Sequence, residues 1–136
     1  MPDKVVLDSS VIAAVFFRED DVASKAEKIL EEFEILYTLD LAIAEITNIA
    51  WKKAVFEEEP ADIVEEGLSA CIEFVTFVCQ IVTSAELYDL AFKIAVEKRI
   101  TAYDALFVAA SERCDAPLAT ADRELARKID NVILVR

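Results

Sequence analysis

Lys4-Val5-Val6-Leu7-Asp8-Ser9-Ser10-Val11 is the stretch on which the fold turns. Three aliphatic residues give way at once to an acid and two hydroxyls, and then to Val11–Phe17, which is apolar on every side. An apolar run without polar alternation reads as a strand covered on both faces. Asp-Ser-Ser at its end reads as the handover to a helix, because short polar side chains bond the free amides of a first turn. Strands buried in this way belong to parallel sheets with helices on either side.

The same alternation continues along the chain. Asp20–Phe33 carries Val22, Ala26, Ile29, Leu30 and Phe33 on one helical stripe, Glu34–Thr38 is a strand, and Asp40 caps a helix to about Phe56. Pro60 suits a first helical position and opens a helix to Phe77; Gln80–Thr83 is a strand, and Ser84 caps a helix ending near Lys98-Arg99. A helix over Tyr103–Cys114, a strand over Pro117–Thr120, a short helix over Ala121–Lys128 and a strand over Val132–Val135 complete the pattern. The predicted fold class is α/β, a single domain over residues 1–136 with a largely parallel central sheet flanked by helices on both faces. A length of 136 residues suffices for one core and falls short of two ordinary domains.

Composition removes several chemistries. Histidine is absent, which excludes Ser-His-Asp and Cys-His machinery and imidazole metal ligands. The one glycine, Gly67, cannot build a dinucleotide fingerprint or a phosphate-cradling loop. Cys71, Cys79 and Cys114 are odd in number and lack CxxC spacing, so they read as core residues of a protein in a reducing cytoplasm. The longest apolar stretch, near Leu68–Val82, is broken by Glu73 and Gln80, so no membrane partner is expected.

The formal charge is −13, and it is concentrated. Glu19–Glu34 holds seven acids against Lys25 and Lys28, and Glu57–Glu73 holds seven acids and no base. Such runs read as solvated helix faces, and the second is expected to meet a basic partner. The rest of the chain is close to neutral.

Four acids outside those runs stand in informative places. Asp8 follows a strand directly and Asp122 lies two residues beyond another, where open α/β sheets bind ligands. Glu45 and Asp104 sit in otherwise apolar helix beginnings. Each has a bland alternative: Asp8 as a helix cap, Asp104 in a capping box with Thr101, Asp122 as a first-turn acid behind a Thr120 cap, and Glu45 as a first-turn acid after Asp40. Four carboxylates converging on one site would repel one another unless a hard divalent cation held them. A cation site accounts for all four with one cause.

Val5-Val6-Leu7-Asp8-Ser9-Ser10-Val11, Glu45 with Asn48 one turn on, Thr101-Ala102-Tyr103-Asp104-Ala105, and Leu118-Ala119-Thr120-Ala121-Asp122-Arg123-Glu124-Leu125 resemble, in order and spacing, the motifs of the PIN-domain nucleases. The closest likeness is to the small single-domain VapC-type toxins of prokaryotic toxin–antitoxin pairs, and it covers essentially the whole chain. The resemblance implies that Asp8, Glu45, Asp104 and Asp122 bind Mg²⁺ or Mn²⁺ and are catalytic, with Thr120 and Ser10 as nearby hydroxyls that order the carboxylates or contact a metal-bound water. It also implies RNA rather than DNA as substrate, and a cognate antitoxin protein as partner.

Oxygen-only ligands select Mg²⁺ or Mn²⁺ over zinc and point to phosphodiester hydrolysis by an activated water. Lys52, Lys53, Lys93, Lys98, Arg99 and Arg113 are the expected phosphate contacts; Lys52 stands out, two turns beyond Glu45. An apolar content of 56% in so small a domain predicts exposed apolar surface, hence a homodimer or a bound partner. The rival to a metal-dependent ribonuclease is a catalytically silent binding module of the same fold. A phosphoryl-accepting receiver domain fits less well, since Ser9 stands where it wants a second acid and no lysine follows Thr120 before Lys128.

Overall fold

The computed structural model describes residues 3–136. Lys4–Leu7 forms β1, with Val5, Val6 and Leu7 fully buried. Asp8 caps α1 (Ser9–Phe16), which begins two residues earlier than its apolar run suggests because the two serines lie inside the first turn. The remaining elements are α2 (Ala23–Glu32), β2 (Ile35–Leu39), α3 (Leu41–Val55), α4 (Ala61–Phe77), β3 (Gln80–Val82), α5 (Ser84–Lys98), α6 (Ala102–Cys114), β4 (Leu118–Thr120), α7 (Arg123–Lys128) and β5 (Val132–Leu134). Among the described residues no helix is long and apolar enough to cross a membrane.

All strand pairings are parallel and the sheet order is β3-β2-β1-β4-β5. From β1 to β3 the chain steps one way across the sheet, and from β3 to β5 it steps the other way. Right-handed crossovers therefore put α1–α4 on one face and α5–α7 on the other. The packing agrees: α1 contacts α2, α3 and α4, α3 packs on α4, and α5 lies along α6. The central strands are sealed between these layers, with Leu7, Ile12, Leu39, Ile46, Leu87, Phe107 and Leu118 fully buried or nearly so.

The differences from the predicted boundaries have local causes. Asp20 and Asp21 stay in a turn, and α2 starts at Ala23. Pro60 is the residue before α4 rather than its first residue. Thr83, not Ser84, caps α5, because the Thr83 and Glu86 side chains close a reciprocal capping box. Ala121 and Asp122 stand outside α7, for Asp122 is itself the cap.

The lone glycine is placed by packing. A Cβ on Gly67 would come within 2.7 Å of the Phe17 ring, so α4 approaches the end of α1 only because that atom is missing. Cys71 and Cys79 are buried, free, and pushed up to about 12 by burial, which makes them inert packing residues; Cys114 is half-buried and also raised by burial.

Candidate active site

The strand order reverses direction between β1 and β4, and the crevice outside the carboxyl ends at such a reversal is where open α/β sheets bind ligands. Asp8 leaves β1 at that point and Asp122 follows β4. The backbone around Asp8 is tied on both sides: its amide donates to the Ala119 carbonyl at 3.1 Å, and buried Thr38 of β2 donates its hydroxyl to the Leu7 carbonyl at 2.8 Å. The side chain is therefore aimed by the sheet itself.

Asp8, Glu45, Asp104 and Asp122 all line one cavity of about 590 Å³, together with Ser9, Ser10, Asn48, Lys52 and Tyr103. Four segments distant in sequence supply them: the end of β1, α3, the first turn of α6 and the start of α7. Thr120 is buried behind Asp8 and donates its hydroxyl to Asp8 Oδ2. Ser10 donates to Asp8 Oδ1 at 2.5 Å, and the Val11 amide donates to the same oxygen at 3.2 Å. A carboxylate offers about four lone-pair positions, so three donors leave Asp8 one, on Oδ2.

Thr120 and Ser10 also reach the neighbouring loop. The Asp122 amide donates to Thr120 Oγ1 at 3.0 Å and the Ala121 amide donates to Ser10 Oγ at 3.0 Å. The two hydroxyls thus clamp the β4–α7 turn to Asp8. Asp122 Oδ1 accepts from the Glu124 and Leu125 amides, and its other oxygen has no protein partner among the described residues. Glu45 Oε1 accepts from Ser9 at 2.6 Å, leaving Oε2 free in the same sense. Thr101 accepts from the Asp104 amide at 3.1 Å, which sets the first turn of α6, and the Thr101 hydroxyl also lies against the Asp104 carboxylate.

The electrostatics register the convergence. Burial lifts Asp8 from 3.8 to about 6; the Ser10, Thr120 and Val11 donors oppose the rise, and the Asp104 charge adds to it. Glu45 is raised by burial and by Asp104, against the Ser9 bond. Asp104 is itself raised by burial and by the charge on Asp122, against the Thr101 hydrogen bond. Asp104 is the common neighbour of the other three. Among the described residues no group of three acids is arranged to hold one ion by itself.

The bland alternatives divide. Asp8 and Asp122 do cap helices, yet each keeps an oxygen for the cavity. Thr120 is no cap, and Glu45 lies beyond the first turn of α3, so the dipole explanation fails for it. The expected phosphate contacts divide as well. Lys52 is exposed and lines the cavity. Lys53 does not serve: it is buried, 3.7 Å from Glu19 and 3.5 Å from Glu59, with its ammonium over the Phe17 ring at 5.3 Å. Adjacent helical positions point about 100° apart, so Lys52 and Lys53 cannot share a face. Arg99 is exposed but is not part of the cavity wall; it ends α5 with a left-handed backbone, φ 57°. Ser9 and Tyr103 were not assigned roles from sequence. The first hydroxyl of the Asp8-Ser9-Ser10 run and the aromatic ring beside Asp104 were the available signals.

The chain belongs to the PIN-domain family, whose model matches residues 5–131. It is 34% identical over 134 residues to Ribonuclease VapC3 of Pyrobaculum aerophilum, covering 96% of this chain and 98% of that one. The crystal structure of PAE2754 from the same organism superposes with a TM-score of 0.74 at 27% identity, over 98% of this chain and 84% of its own. A toxin–antitoxin complex from Klebsiella pneumoniae shares the fold, with a TM-score of 0.65 at 13% identity over 97% of this chain and 98% of that one.

Proposed function

We propose that the chain is a divalent-metal-dependent endoribonuclease, the toxin of a toxin–antitoxin pair, whose single nuclease domain spans residues 1–136. The observation that carries this reading is the meeting of Asp8, Glu45, Asp104 and Asp122, from four separate segments, around one cavity that also holds Lys52. The name of the 34% identical relative supports RNA as the substrate.

The donor set fits a hard cation. The cavity presents carboxylate and hydroxyl oxygens, without histidine or cysteine, which suits Mg²⁺ or Mn²⁺. That no three acids form a cage is compatible with Mg²⁺, which keeps several waters and is bound through one or two carboxylates and substrate phosphates. Asp8 and Asp104 are the proposed direct ligands, with Glu45 and Asp122 beside them. Such a cation supplies Lewis acidity at a water and at the scissile phosphate. The chain's own residues do the rest. Thr120, Ser10 and the Val11 amide hold Asp8 ionised in a buried place where it would otherwise take up a proton. Ser9 orients Glu45, whose free oxygen would accept a proton from the attacking water. Lys52 pairs with a substrate phosphate.

The same reading takes a cognate antitoxin as partner, supported by the fold shared with a chain of a toxin–antitoxin complex. The acid-rich segment from Glu57 suits its basic part, except for Glu59, which is already paired with Lys53. A cytoplasmic setting agrees with three free thiols, and a homodimer with the exposed stripe Tyr88, Phe92 and Val96 on α5. One observation favours a catalytically silent module, namely that Asp8 and Asp122 also cap helices.

Structured and unstructured RNAs incubated with Mg²⁺ or Mn²⁺, beside Asp8→Asn and Asp104→Asn variants, decide between the two. The wild type cleaves, chelator stops it, and both variants are inactive. Cleavage that survives in the variants, or that ignores the chelator, sinks the nuclease reading; an inactive wild type that binds no metal by calorimetry establishes the module.

A further inference from the structure

Tyr103 immediately precedes Asp104 in the first turn of α6, and its side chain is 62% exposed on the wall of the acidic cavity. Exposed aromatics occur elsewhere on this chain, at Trp51, Phe56, Phe77, Tyr88 and Phe92, but none of those lines the cavity. Phe107 lines it too, and is buried. Tyr103 is thus the one solvent-exposed aromatic ring, among the described residues, on the wall of the site. Its placement is not loose: the Thr101 cap on the Asp104 amide fixes the turn that carries both ring and carboxylate. A tyrosine has only two side-chain torsions to restrain, so it gives a large contact area at small entropic cost.

The wall contributed by α3 complements the ring. Leu41 and Ile49 are apolar and half-buried, Asn48 offers an exposed amide with both donor and acceptor, and Lys52 adds a cation one helical turn further on. An aromatic face, an apolar wall, an amide and a cation next to a set of carboxylates match the parts of one nucleotide: base, base edge and phosphate. We propose that Tyr103 is a specificity-determining residue that stacks an unpaired nucleobase adjacent to the scissile phosphate, with Asn48 at the base edge and Lys52 on the backbone. The site then selects unpaired RNA over duplex, because a base inside an A-form stem keeps both faces stacked and offers none to the ring. This rests on the nuclease reading above for the identity of the ligand as RNA.

The test uses the full chain with two fluorescein-labelled RNAs of equal length, one unstructured and one closed into a hairpin stem. Binding is read by anisotropy with Ca²⁺, and cleavage with Mg²⁺ or Mn²⁺ gives KM and kcat. Tyr103→Leu keeps apolar bulk and removes the ring; Tyr103→Phe keeps the ring. Because the side chain is exposed, both variants melt with the wild type, and a thermal scan checks this. Base–aromatic stacking predicts that Tyr103→Leu weakens binding of the unpaired RNA by at least about fivefold and raises KM accordingly, with kcat nearly unchanged. Tyr103→Phe stays within about twofold of the wild type. Neither variant alters binding of the stem.

Tyr103→Leu binding unpaired RNA as well as the wild type overturns the inference, as does an equal loss against the stem. A wild type that binds RNA but never cleaves it removes the nuclease reading, while the Leu-against-Phe comparison still decides the role of the ring. A wild type that binds neither RNA removes both.

Discussion

Replacing Asp8 with asparagine should abolish activity and yet stabilise the metal-free protein. Asp8 is 8% exposed, and burial lifts it from 3.8 to about 6 despite three donors. A group raised in the folded state favours folding while protonated: its contribution is fully present below about pH 4 and is lost as the pH rises through about 6. Above that, the folded protein carries an ionised carboxylate that costs about 3 kcal/mol, from a shift of a little over two units at about 1.4 kcal/mol each. Asparagine keeps the shape and removes the charge. Its oxygen accepts from Val11 and Ser10, and its amide donates to Thr120, whose hydroxyl has a second lone pair beside the one taken by the Asp122 amide; the buried Thr120 hydroxyl proton loses its acceptor, which offsets about 1 kcal/mol of the gain. For a domain of this size the gain corresponds to a melting temperature higher by about 10 °C at the upper end. The assay is thermal unfolding by circular dichroism in chelator, from about pH 4 to about pH 7.5. The variant should melt above the wild type at the upper pH, and the gap should close at the lower. In excess Mg²⁺ the wild type gains stability by mass action and the variant does not. A variant no more stable than the wild type at about pH 7.5, or a gap independent of pH, would refute the claim that the site stores the cost of an ionised, desolvated carboxylate.

Other consequences follow from the same contacts. Thr120→Val removes a buried donor to Asp8, so the folded-state value rises further; the loss of stability should be about 1–2 kcal/mol at neutral pH and smaller below about pH 4, measured by denaturant titration at each pH. The adjacent lysines should separate cleanly. Lys52→Ala weakens RNA binding and flattens its salt dependence with little change in melting temperature, since its side chain is exposed in the cavity wall. Lys53→Ala leaves Glu19 and Glu59 facing each other and empties the space over Phe17, and should cost about 2 kcal/mol of stability by chemical denaturation without changing RNA affinity. Gly67→Ala improves helix propensity but drives a methyl into the Phe17 ring, and should be net destabilising by about 1 kcal/mol in the same assay.

Much of this protein was legible in one dimension. The order of strands and helices, the parallel sheet and the burial of Val5–Leu7 follow from apolar runs whose period and length belong to a single kind of element. Asp8 and Asp122 were conspicuous because they stand just past strand ends, Glu45 and Asp104 because they interrupt stretches that otherwise avoid charge. Tertiary structure decided what sequence spacing cannot carry. Which strand neighbours which brought Asp8 and Asp122 to the same reversal point of the sheet, although 114 positions in the chain separate them. The side on which α3 presents its residues sent Lys52 into the cavity and Lys53 into an ion pair, a distinction set by about 100° of helical rotation and by what lies opposite. The roles of Ser9, Ser10 and Thr120 were decided in the same way, since a hydroxyl bonds to whatever acceptor the fold puts within reach. Local patterns select the elements because secondary structure is governed by near neighbours in sequence; the site needs groups brought together across the whole chain, and only the packed sheet does that.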